Sequence, residues 1–130
     1  MAIEWDYAQM TTGLPEIDEE HKEWLRRFNE FDAAIVNSQG VKAIQRTLDF
    51  MAQYAETHFA HEEACMAQYN SPIAALNHTE HDQFRAKLYE IQAWIQQEGT
   101  TLVEVVSLKI DLEQWLINHI CRIDVQLHPY

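Results

Sequence analysis

The run Glu56-Thr57-His58-Phe59-Ala60-His61-Glu62-Glu63-Ala64-Cys65-Met66 decides how the rest of the chain is read. It lies within a segment in which Ile44, Leu48, Met51, Ala55, His58, Glu62 and Cys65 follow a repeating four-three spacing. That spacing is one face of an α-helix, the seam that turns toward a bundle core. A histidine and a carboxylate, four residues apart, therefore stand where Leu or Ile is expected. Burying either without a partner costs on the order of several kcal/mol. A metal ion is the simplest single partner that satisfies both.

Three more stripes of the same kind flank this one. The first helix is expected from about Ile17 to Val36, with Ile17, His21, Trp24, Leu25, Phe28, Phe31 and Ile35 inward. The acidic residues Glu16, Asp18, Glu19 and Glu20 at its start suit the positive end of the helix dipole. The helix of the opening run spans about 41–69, and Asn70-Ser71-Pro72 breaks it. The next, about 73–97, turns Ile73, Asn77, His81, Phe84, Leu88, Ile91 and Ile95 inward. Thr101-Leu-Val-Glu104 is a capping-box pattern opening a last helix, about 101–127, that buries Leu102, Val105, Leu112, Leu116, His119, Ile120 and Ile123. Residues 1–16 read as an extended arm, with Trp5 and Tyr7 packing onto the body. The expectation is an all-α fold: an up-down-up-down four-helix bundle with an extended N-terminal arm, in one domain covering 1–130.

Composition agrees. With 3 Gly and 3 Pro among 130 residues, of which 47% are hydrophobic, long helices and short links are favoured over a β-sandwich. A net charge of −12 argues against nucleic acid and anionic membrane surfaces as partners. The opening MAIEWDYAQM has neither the basic nor the apolar region of a signal peptide, and no apolar run approaches the roughly 20 residues of a membrane span. Cys65 and Cys121 are too few and too irregularly placed for a disulfide framework or a cysteine zinc site. A cytoplasmic, monomeric protein is expected.

Each stripe is interrupted by a residue able to bind metal: His21, then His58 with Glu62, then His81, then His119, with Asp124 a candidate. A lone histidine on an apolar face is more often a hydrogen-bonded core residue. Four of them with a carboxylate, at one level of an alternating bundle, are poorly explained as independent accidents. Glu62 lies about 40° round the helix from His58, so both reach one site, whereas Asp124 lies about 140° round from His119. Asp124 is thus either a solvated residue near a helix end or a ligand brought in by distortion. His61 flanks the stripe, His78 points about 100° away from Asn77, and His128 falls in the tail. Cys65 reads as a small core residue. Imidazole and carboxylate without thiolate suit iron, manganese or zinc, and two carboxylates among four histidines can bridge two metals.

These residues are where the chain resembles the hemerythrin family, specifically its single-domain bacterial members. The matching motifs are Ile17-Asp18-Glu19-Glu20-His21-Lys22, His58-Phe-x-x-Glu62-Glu63-x-x-Met66, His81-Asp82-x-Phe84 and Trp115-Leu116-x-x-His119-Ile120-x-x-x-Asp124. The resemblance implies a non-haem centre of two iron ions, bridged by carboxylates and an oxo or hydroxo group, that binds O2 reversibly. It implies that Glu62 and Asp124 bridge the irons and that His21 and His58 hold the iron taking O2, which is kept as hydroperoxide with a proton from the bridge. His81 and His119 then belong to the second iron. Trp115, Leu116 and Ile120 resemble the wall of the oxygen pocket, and they also fit an ordinary helix core.

One position departs. The family pattern places a histidine four residues before His81, and this chain has Asn77. Asn77 either leaves that iron with a labile position or is a simple hydrogen-bonding replacement. The resemblance implies an O2-binding protein for storage, delivery or scavenging, not an enzyme. The alternatives are a di-iron sensor read by a partner protein, or an enzyme reducing peroxide or nitric oxide. A cationic reductase is the candidate protein partner of the acidic surface.

Overall fold

Four stripes at helical spacing become four long helices, and a shorter one precedes them. In a computed structural model that describes residues 3–37, 40–96 and 102–124 (backbone alone for 102–104), the elements are α1 (Tyr7–Met10), α2 (Pro15–Val36), α3 (Val41–Gln68), α4 (Ala74–Gln96) and α5 (Leu102–Arg122). No strand occurs among the described residues. Helix α2 packs on α3 and α5, and α4 also packs on α3 and α5, so the long helices close into a helical bundle. No helix among the described residues is long and apolar enough to cross a membrane.

The helix boundaries have local causes. Pro15 opens α2, where a missing N–H costs nothing and the fixed φ is already helical. Gly40, at φ +98, supplies the positive φ from which α3 starts. At the other end of α3, Asn70 adopts φ 52, and its N–H reaches the Ala67 carbonyl while that of Ser71 reaches Met66. This is a Schellman stop, with Asn in the place where Gly is commonest.

The arm is not simply extended. Asp6 caps the short α1, its carboxylate accepting from the backbone N–H groups of Ala8 and Gln9. Asn29 clasps the arm to α2 by exchanging two hydrogen bonds with the backbone of Ile3, at 2.8 and 2.9 Å. Trp5 is half-buried under the Lys22 ammonium, but Tyr7, expected on the body, is 70% exposed. Asp18 does more than face the helix dipole. It is buried and accepts from the Thr11 hydroxyl at 2.7 Å and from both the N–H and hydroxyl of Thr12 at 2.8 Å.

All the inward positions expected on α2 are buried. On α3, Cys65 is only half-buried and Met66 occupies the core instead. A strict four-three spacing drifts about 20° per heptad on a straight helix, so after three heptads the inward position has moved on by one residue. On α4, Ile73 precedes the helix and is half-buried. One charged pair was not foreseen: Lys109 reaches Asp32 at 2.7 Å across the α2–α5 contact, both buried.

The main apolar core meets the polar cluster through aromatic rings, Trp24 lying against His58 and Phe59 against His81. Trp24, Phe59 and Phe84 meet edge to face at centroid distances of 5.1 to 5.6 Å, and Phe84 continues to Trp115 at 4.9 Å. Asp18→Ala should cost about 1–3 kcal/mol, because the Thr12 donors lose their acceptor. Urea unfolding of the variant beside the parent chain measures it, and an unchanged midpoint would show that Asp18 does not hold the arm.

Candidate metal centre

The polar breaks in the four stripes meet at one point. His21 on α2, His58 and Glu62 on α3, His81 on α4, and His119 on α5 with Asp124 just beyond it are all at most 1% exposed. Their donor atoms form two groups, His21–His58–Glu62–Asp124 and Glu62–His81–His119–Asp124, each with all its atoms within 4.8 Å of one another. Both carboxylates belong to both groups.

How the carboxylates are shared is visible atom by atom. Glu62 turns Oε2 toward His21 Nε2 at 3.0 Å and His58 Nε2 at 3.1 Å. Its Oε1 faces His81 Nε2 at 3.1 Å and His119 Nε2 at 3.9 Å. Asp124 repeats the division, with Oδ2 at 3.0 Å from His21 and Oδ1 at 2.9 Å from His119. Each carboxylate therefore gives one oxygen to each half of the site.

Asp124 reaches this place because α5 stops. The α-helix ends at Arg122, short of the expected 127; Ile123 is a turn, and Asp124 lies outside the α-helix. A continued α-helix would hold Asp124 about 140° away from His119. Residues 125–127, expected to be helical, lie outside the described residues, as does His128.

The donor set fits a metal better than it fits itself. His58 Nε2, His119 Nε2 and both oxygens of Asp124 are buried without a hydrogen bond among the described residues, although their neighbours lie at contact distance. These atoms are close but not aligned as donor and acceptor. Buried polar atoms are almost always paired, and an ion between them would pair all four. The imidazole and carboxylate chemistry suits iron, manganese or zinc.

Two outer carboxylates orient two of the four imidazoles. Glu20 Oε1 lies 2.7 Å from His58 Nδ1, and Glu80 Oε1 lies 2.7 Å from His119 Nδ1. Such a bond fixes which ring nitrogen is free for the metal and makes it more basic. Sequence reading gave Glu20 only a place at the helix dipole and in the matching motif and passed over Glu80, yet each directly precedes a stripe histidine, in Glu20-His21 and Glu80-His81. Each reaches across to the histidine of the next helix. The repeated Glu-His pair was the signal.

The remaining candidates sort by exposure. Leu116 and Ile120 are fully buried, and half-buried Trp115 stacks on His119 with planes 9° apart and centroids at 4.6 Å. Phe59 stacks likewise on His81 at 3.8 Å. Asn77 is completely buried and donates from Nδ2 to Glu62 Oε1 at 2.9 Å. His78 is exposed and pairs with Glu63, outside the cluster. His61, partly exposed, shares Glu20 with His58. Cys65 and Cys121 are free and half-buried.

Comparison with known proteins agrees with this geometry. A family model described as the hemerythrin HHE cation binding domain matches residues 12–130. The chain belongs to the hemerythrin family. It is 27% identical over 111 residues to the bacteriohemerythrin of Stenotrophomonas maltophilia, covering 85% of this chain and 70% of that protein. It is 26% identical over 133 residues to the bacteriohemerythrin of Methylococcus capsulatus, covering 96% and 93%. No solved structure gives a significant match.

Without metal, the carboxylates favour protons on His21, His58 and His119. Burial disfavours charge on His21, but Asp124 and Glu62 outweigh it and raise its pKa from 6.5 to about 9. Burial likewise opposes charge on His119, and Asp124, Glu62 and Glu80 overcome it, lifting the pKa well above its ordinary value. Burial pushes Glu62 upward, yet the surrounding imidazoles of His119, His21, His58 and His81 bring it well below the usual carboxylate range. A raised histidine pKa contributes stability that is complete below 6.5 and is lost as pH climbs through about 9. A depressed carboxylate pKa contributes stability above 4.5 that is lost on acidification. The metal-free protein should therefore be most stable between these limits and lose stability toward pH 9, a decline that metal loading should abolish. Thermal unfolding against pH, with and without metal, tests this; an alkaline limb identical in both forms would contradict it.

Proposed function

We propose that this chain is a di-iron protein that binds O2 reversibly, serving storage, delivery or scavenging rather than catalysis. One observation carries the reading: two pairs of buried imidazoles share two carboxylates, each carboxylate presenting one oxygen to each pair. That arrangement suits two ions of the same kind held side by side. Membership of the hemerythrin family and the names of both relatives support it.

In this reading His21 and His58 hold one iron, His81 and His119 the other, and Glu62 and Asp124 span the two. The iron pair supplies the electrons that bound O2 takes up and returns. The protein does the rest. Glu20 and Glu80 keep Nδ1 of His58 and His119 occupied, so that Nε2 faces the metal. Leu116, Ile120, Trp115 and the aromatic rings exclude water, which would slow loss of the bound oxygen in reduced form, the loss that leaves the iron oxidised. The same reading takes the four long helices as an up-down-up-down bundle in one domain with the first sixteen residues as its arm, acting as a monomer in the cytoplasm.

The test is to load the chain with iron under anaerobic, reducing conditions, count the iron, and admit O2 while recording the visible spectrum. About two irons per chain, with a charge-transfer band that appears with O2 and vanishes on its removal, is the expected result. Immediate irreversible oxidation would favour a redox sensor or a peroxide- or NO-reducing enzyme, the latter showing turnover with a reductant. Glu80→Ala should weaken metal binding by about 10–100-fold through loss of the bond that orients His119. Competition with a chelator measures it, and unchanged affinity would remove Glu80 from the site.

A further inference from the structure

Asn77 is completely buried, and its Oδ1 has no hydrogen-bond partner among the described residues. Its other amide atom is committed, since Nδ2 donates to Glu62 Oε1 at 2.9 Å. Exchanging the two would set oxygen against oxygen and strand a donor instead, so the observed orientation is the favourable one. A buried acceptor without a donor is costly, and in a site of this kind a bound small molecule is the natural donor.

Glu62 Oε1, to which the amide is bonded, faces His81 and His119, and a count of donors shows whether that half has a position for such a molecule. One half offers His21, His58, Glu62 Oε2 and Asp124 Oδ2; the other offers His81, His119, Glu62 Oε1 and Asp124 Oδ1. The halves are equal, with two imidazoles and two carboxylate oxygens each. Asn77 does not break the balance, because its amide is turned to Glu62. A six-coordinate ion with four protein donors and one bridging oxygen keeps one position free. With equal donor sets, that holds for both ions.

We propose that the His81/His119 half has a ligand position of its own, filled at rest by a water molecule that donates a hydrogen bond to Asn77 Oδ1. The inference rests on the di-iron reading above. A small anion can then bind at either half, and at the second half it must displace that water and forgo its bond to Asn77. The centre has two exchangeable positions rather than one.

Azide is a suitable probe, because it carries no hydrogen to donate and gives a charge-transfer band on ferric iron. The full chain is loaded with iron, oxidised and counted for iron, and bound azide is then measured by equilibrium dialysis alongside the visible titration. The expected result is two irons and two azides per chain, taken up in two steps with the second weaker. Asn77→Ala should keep both and bind the second about fivefold tighter, since no hydrogen bond is lost on displacing the water. Asn77→His should reduce the count to one. Two irons with a single azide in the parent chain, rising to two in Asn77→Ala, would overturn the inference by showing that Asn77 fills the position itself, while leaving the di-iron reading intact. Fewer than two irons would overturn both. Circular dichroism checks that each variant folds, and the parent titration decides the question without them.

Discussion

Glu62 and Asp124 are buried completely, and the rest of the structure depends on that fact. An isolated carboxylate in a protein interior costs several kcal/mol even after relaxation. Glu62 and Asp124 stand side by side among four imidazoles at zero exposure. Protons on the histidines offset the charge when metal is absent, and the cluster then holds His21 at a pKa of about 9. Metal would displace those protons, so folding, protonation and metal uptake are linked through the same six side chains. The bundle supplies the geometry: four helices each deliver an imidazole to one level, and only α3 delivers a carboxylate from within its length.

The two halves of the site are built alike. In the α2–α3 half, Glu20 orients His58, and His21 comes from the residue after Glu20. In the α4–α5 half, Glu80 orients His119, and His81 follows Glu80. Consecutive residues on one helix thus serve the two shells of the site, one aimed inward and the other across to the next helix. The parallel fails at the carboxylates. Glu62 arrives by ordinary helical spacing, four residues after His58, while Asp124 needs the end of α5 to bring it round.

That difference marks what could be read from the chain alone. His21, His58, Glu62, His81 and His119 stood out because each occupies an apolar stripe position, and burial follows from periodicity. Asp124 has no such signature; its place depends on where α5 stops, which periodicity does not encode, and resemblance to a family supplied it instead. The roles of Glu20 and Glu80 were hidden because a carboxylate beside an inward residue reads as a solvated one. Asn77 was legible as a departure, but its bond to Glu62 and its unpaired oxygen required the packed structure. The Cys65-to-Met66 shift and the turn of helix in the arm were lost for a simpler reason: a fixed spacing ignores helical drift, and four residues are too few to show a period.

The central claim is that Glu62 and Asp124 are shared by two metal ions. Mössbauer spectroscopy of the oxidised protein loaded with 57Fe, recorded at low temperature in an applied field, tests it most directly. Two ferric ions bridged by these carboxylates and an oxygen atom should couple antiferromagnetically and show a diamagnetic ground state. Magnetically isolated high-spin ferric ions, or a single iron per chain, would contradict the account.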